Sequence, residues 1–154
     1  MKRQVPRSQS PDSRSSSADE GVVDALVTAS FVTMAAINRI GAEHDLSLSL
    51  VRVLGILWDR RPRMSELAEH LGLEKQTMSG LIARAQKRGL VARAPNADDR
   101  RAMEVFLTSE GAELVQRLRK QAHQALLPRI QKLCAEDQQQ LQALLECMLA
   151  DHGH

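Results

Sequence analysis

Between Gly89 and Thr108 the apolar residues of this chain stop recurring every three or four positions and recur every second one. After Thr108 the longer spacing returns. That single interruption limits the fold, because the longer period marks a helix with one buried face and the shorter one a half-buried strand. Before it, Val22, Leu26, Ala29, Thr33, Ile37 and Ile40 mark a helix starting near residue 20 and broken at His44, Asp45 and Ser47. Leu50, Val53, Leu54 and Leu57 mark a second, ending before Pro62. Ser65 and Glu66 open a short third helix with Leu67, Ala68 and Leu71 inward, and Gly72 closes it. A fourth runs from Lys75 to Arg88, with Gly89 as the glycine that ends it. Leu90 to Ala94 reads as a strand, Pro95 to Asp99 as a turn, and Met103, Val105 and Leu107, alternating with Glu104 and Phe106, as a second strand. Thr108 or Ser109 caps a long helix carrying Leu114, Val115, Leu118, Ala122, Leu126 and Ile130, which Pro128 should kink or weaken. Glu136 and Asp137 begin a last helix with Leu141, Leu144, Leu145, Met148 and Leu149. The expectation is a mainly α fold with one small β-hairpin.

Composition agrees with that order. Aromatic residues are only 2% of the 154, namely Phe31, Trp58 and Phe106, so the core must be aliphatic, which suits packed helices better than a β-sandwich. The same scarcity argues against single-stranded nucleic acid as a partner, since that needs stacking platforms. The length suits one folded domain over 19–154, behind a Ser-rich segment 1–18 that reads as a disordered tail. Two cysteines cannot build a disulfide framework and fit a cytoplasmic setting. No apolar run approaches the roughly 18 residues of a membrane span, so no membrane partner is expected.

Charge is uneven although the net value is only +2. Residues 60–101 hold ten basic and five acidic residues, and the flanking blocks 19–59 and 102–154 are net acidic. A basic block inside a near-neutral chain is either a solvated face or a footprint for nucleic acid. The spacing within it favours the second. Ala68 is the small residue a helix-turn-helix needs where two helices cross, and Gly72 follows four positions later to make the turn. Leu73, Met78, Leu81 and Ile82 supply an inner face to the second helix. Lys75, Gln76, Thr77, Ser79 and Gly80 leave its outer start polar and uncrowded. A hairpin after such a pair makes a winged helix, and its turn carries Asp98-Asp99-Arg100-Arg101. No phosphate loop, nucleophile elbow or metal-binding His pair is present, so no enzyme activity, cofactor or metal is expected.

Met64-Ser65-Glu66-Leu67-Ala68, the run Lys87-Arg88-Gly89-Leu90-Val91, and Asp99-Arg100-Arg101-Ala102 followed by Val105-Phe106-Leu107-Thr108-Ser109-Glu110-Gly111 resemble the MarR family of transcriptional regulators, over about residues 20–150. The resemblance implies a homodimer on double-stranded, pseudo-palindromic DNA. Residues 19–45 and 109–150 would be dimerisation helices and 47–108 the winged helix-turn-helix lobe. It also implies repression released by a small, often phenolic or anionic, molecule. Ala85 stands where the family usually has a larger apolar residue, and Cys134 where a Ser or Thr often caps the last helix. The peroxide-sensing branch needs a Cys in the first long helix and Tyr partners, and this chain has neither.

The expected DNA-binding residues are Ser65, Lys75, Gln76, Thr77, Ser79, Gly80, Arg84, Lys87, Arg93, Arg100 and Arg101. Gln76, Thr77 and Ser79 suit base edges and Arg84, Lys87 and Arg93 suit phosphates. Arg39, His44, Arg52 and Trp58 are the expected wall of an effector pocket, two cations, a titratable ring and the one indole. The alternatives are a protein-binding winged helix, against which the polar start of the fourth helix argues, and a DNA-binding regulator without an effector.

Overall fold

The computed structural model describes residues 12–150. Its elements are α1 (Asp12–Glu43), α2 (Leu48–Ile56), α3 (Met64–Leu71), α4 (Lys75–Lys87), β1 (Val91–Pro95), β2 (Met103–Leu107), α5 (Ser109–Ile130) and α6 (Ala135–Leu149). The expected order of helices and hairpin is thus observed. The chain divides into two compact units, one reaching Ala35 and one from Ala36 onward.

One boundary and one hydropathy reading differ from expectation. α1 starts at Asp12, ahead of residue 20, so residues 12–18 of the presumed tail are helical backbone while 1–11 lie outside the described residues. Extending a formed helix costs far less than starting one, and the serines and acids there do not prevent it. α5 continues through Pro128 and ends soon after, at Ile130. The stretch Asp19–Glu43 has a mean hydropathy of 1.5 over an 18-residue window, long and apolar enough to cross a membrane by length and composition. That corrects the expectation that no segment reaches this length. Scattered Thr, Ser and Asn break the apolar run without adding charge.

The core of the second unit is drawn from every element between the end of α1 and the middle of α5. Val53, Leu54, Leu67, Met78, Ile82, Val91 and Val105 are its largest fully enclosed side chains. These are the inward positions of the expected stripes, and Ala85 is fully buried with them. β1 and β2 pair antiparallel, with Val91 opposite Leu107, Arg93 opposite Val105 and Pro95 opposite Met103. The segment before α3 joins the ribbon through Val105 N–H donating to Pro62 O at 3.0 Å and an isolated bridge between Arg63 and Glu104.

Caps fix the ends. Ser47 Oγ accepts from Leu50 N–H at 3.2 Å, and Glu66 accepts from Arg63 N–H at 2.8 Å. Thr108 Oγ1 accepts from Gly111 N–H at 3.0 Å, and its hydroxyl donates to Gly89 O. Gly111 permits this clamp, since a Cβ there would lie 1.9 Å from Leu90 O. This accounts for the Thr-x-x-Gly spacing, which brings the start of α5 onto the entrance of β1.

Candidate DNA-binding surface

α3 and α4 pack through Leu67, Ala68 and Leu71 on one side and Met78, Leu81, Ile82 and Ala85 on the other, all in one core cluster. Gly72 has φ 63°, which lets Leu73 N–H reach back to Ala68 O at 2.9 Å and sends the chain into α4. With its inner face committed, α4 presents Lys75, Gln76, Thr77, Ser79 and Gly80 as exposed residues on its first turns. Arg84 and Lys87 are exposed near its other end, so they cannot meet a ligand at the same point as Lys75.

The wing tip is built by its own polar residues. Asn96 Oδ1 accepts from both Asp98 and Asp99 N–H at 2.9 Å, and Asp99 Oδ1 accepts from Arg101 N–H at 3.0 Å. Asp98 and Asp99 therefore shape the turn. Asn96 N–H to Ala102 O at 2.8 Å closes it.

Where the start of α3, the start of α4 and the wing meet, a cavity of about 320 Å³ is lined by Arg63, Ser65, Lys75, Ser79, Arg93 and Arg101, with Met64, Ala102 and Met103. Four cations and two hydroxyls converge there and no acid lines it. The ion pairs among the described residues, Arg60 with Asp59 and Arg117 with Glu113, lie elsewhere. Five of the expected DNA-binding residues share this cavity. Arg100 is exposed at the tip but does not line it, so the two neighbouring arginines are set apart. Arg93 is steadied by Nε donating to Gln86 Oε1 at 3.0 Å. Arg63 was missed by sequence reading. Its signal was its place two residues before Ser65, just ahead of α3.

The expected effector wall does not assemble. A separate cavity of about 280 Å³ has an almost wholly apolar lining from Ile37, Ile40, Val51, Leu54, Val115, Leu118 and others, with Arg52 and Arg119 among its residues. Of the four expected residues only Arg52 is there. Arg39 is exposed and lines no cavity described here, and His44 Nε2–H donates to Gln121 Oε1 at 2.8 Å. Trp58 belongs to another hollow of about 310 Å³ with Asp59, Arg60, Arg61 and Phe106, where hydrogen bonding from Arg60 holds the Asp59 carboxyl below its usual range. Arg119 links the two places, its guanidinium lying 5.4 Å from the Trp58 ring centroid.

An exposed polar helix start beside a basic hairpin, carried on a closed helical core, defines a winged helix-turn-helix DNA-binding protein. Residues 44–102 match the MarR family. The homoprotocatechuate degradative operon repressor of Escherichia coli is 30% identical over 128 residues, 82% of this chain and 86% of that protein. A MarR transcriptional regulator from Methanosarcina mazei Go1 superposes with a TM-score of 0.71 at 21% identity, covering 84% of this chain and 94% of that one. CouR from Rhodococcus jostii RHA1, in a structure bound to p-coumaroyl-CoA, superposes with a TM-score of 0.69 at 19% identity, covering 86% and 94%. The chain belongs to the MarR family of DNA-binding transcriptional regulators.

Proposed function

We propose that the protein is a cytoplasmic homodimeric repressor that binds a pseudo-palindromic operator and is released by a small aromatic or acyl anion. The cavity shared by α3, α4 and the wing carries the reading, because four cations that make no ion pair among the described residues surround two hydroxyls there, which suits a phosphate-bearing groove edge. Gln76, Thr77 and Ser79 read base edges, with Gly80 leaving bare backbone room beside them. Lys75, Arg63, Arg93, Arg84 and Lys87 hold phosphates, and Arg101 enters the minor groove while Arg100 stays outside. Two recognition helices reach successive major grooves when roughly 34–36 Å apart, a spacing that only a pair of subunits supplies.

The second copy is called for by apolar surface. Val22, Phe31, Leu144, Met148 and Leu149 are all more than half exposed in the single chain. Burial is worth roughly 25 cal/mol per Å², and a second subunit covering these faces recovers it. The same need explains why a soluble regulator carries a helix as apolar as Asp19–Glu43.

The effector belongs in the cavity of Arg52 and Arg119, whose apolar walls take a flat hydrocarbon body while a guanidinium receives the anion. An effector acts only through its differential affinity for the DNA-binding and released states. The repressor name of the Escherichia coli relative and the acyl-CoA bound by CouR support this reading by analogy. The test is a mobility shift on DNA selected from a random pool. Gln76→Ala is expected to cost about 1–3 kcal/mol on the selected site and little on random DNA. Salicylate-like anions are expected to release the DNA and to change Trp58 fluorescence. Equal losses on both DNAs reject the role of Gln76, and flat fluorescence and affinity into the millimolar range reject the effector.

A further inference from the structure

α1 ends in an unusual way. Asp45 has φ 55° and is the one non-glycine residue with a positive φ among the described residues. It occupies the left-handed position usually given to glycine, with Leu46 N–H reaching back to Gly41 O at 2.9 Å. Gly41 is itself required, since a Cβ there would meet Val51 Cγ2 at 2.8 Å. This turn leaves the His44 and Asp45 carbonyls beyond the helix ladder, at the negative end of its dipole. Both are taken by one side chain from far along the chain. Arg88 Nη1 donates to Asp45 O at 2.8 Å and Nη2 to His44 O at 2.9 Å.

Arg88 is the residue that caps the end of α4. On the other side of the same turn, the His44 ring is held by Gln121 of α5, whose Nε2 donates to Glu43 Oε2 at 3.2 Å. One joint thus ties the end of α4, the end of α1 and the middle of α5. The fork is specific to a guanidinium, since an ammonium cannot present two coplanar donors to two carbonyls.

We propose that Arg88 is a positioning residue, which sets the angle of the recognition helix α4 by clasping the end of α1, with Gln121 as the brace behind the clasp. It touches neither DNA nor effector. The inference rests on α4 reading the DNA, and it makes His44 part of a hinge rather than of a ligand wall. Substitutions that act only through such a joint change coupling between distant sites by about two- to thirtyfold.

The experiment uses the full chain, DNA selected from a random pool by the wild-type protein, and a scrambled duplex. R88K keeps the charge and loses the fork, while Q121A loosens His44 without removing a cation. Each is expected to lower the preference for selected over scrambled DNA by about tenfold, with affinity for scrambled DNA and the salt slope unchanged. The double variant should lose little more than the worse single one. In the free protein, amide exchange in the last turn of α4 should rise in both. Wild-type preference in R88K, with a reduced salt slope in R88A, would make Arg88 a phosphate contact and overturn the proposal. Lowered melting temperatures with preference intact would reduce the joint to a structural brace. Unchanged amide exchange in both variants overturns the joint without reference to DNA. Gln76→Ala in parallel reports separately on whether α4 reads bases.

Discussion

The winged lobe and the terminal helix α6 are built from similar residues and end in opposite states. In the lobe, Val53, Leu54, Met78, Ile82 and Val105 have no more than 2% exposure, and its turns are closed by its own side chains. α6 carries Leu141, Leu144, Leu145, Met148 and Leu149, yet none of its residues is buried. The Asp19–Ala35 part of α1 is likewise without a buried residue. The lobe closes its core within one chain, whereas the apolar face of α6 has no buried residue. Hydrophobic periodicity reports which face wants burial and says nothing of which chain supplies the cover.

Four substitutions test that contrast, ordered by their expected effect on the stability of the lobe. Ile82→Ala removes most of a fully enclosed side chain and should cost about 2–5 kcal/mol in urea unfolding, independent of protein concentration. Gly111→Ala forces a methyl to within 1.9 Å of Leu90 O, so α5 must lift from β1. A cost of about 1–3 kcal/mol is expected, read by thermal melting, and the wing amides should exchange faster. Leu144→Asp sits on a side chain already 61% exposed. It should leave lobe stability within about 0.5 kcal/mol, as surface changes do. On the proposed dimer it should shift light scattering to the 17.1 kDa of one chain. If it unfolds the lobe instead, the contrast fails. Arg101→Ala should not change stability at all and should lower the salt slope of DNA binding by about one, most clearly with A·T-rich flanks. A larger loss from Arg100→Ala reverses the assignment of the two arginines.

The order of elements was legible because each has a local cause. Gly72 and Gly89 take the positive φ values that end α3 and α4, and Ala68, Leu71, Met78 and Ile82 fall on the faces their spacing implies. That Ser65, Lys75, Ser79, Arg93 and Arg101 come to line one cavity follows from the same local causes, two helix starts and one hairpin. The cavity between α2 and α5 was not legible. Arg52 and Arg119 share a cavity only because α2 and α5 pack together, and no local pattern announces that. His44 was misplaced because an exposed-looking ring at a helix end gives no hint of Gln121 far along the chain. The reach of α1 back to Asp12 was missed because polar serines carry no period.

The clamp at Thr108 and Gly111 also bears on how such proteins diversify. It fastens the open ends of the ribbon, while the turn from Asn96 to Ala102 is shaped by bonds made within itself and by Asn96 Nδ2 donating to the Glu104 carboxylate of β2. The ribbon is therefore clamped at its root, steadied along β2 by Pro62 and Arg63, and left to shape its own tip. Residues can be added or exchanged in the tip without loosening the lobe, so reach and charge along the DNA can be tuned by descent or by design. A single insertion between Leu107 and Gly111 breaks the root and loses the whole wing.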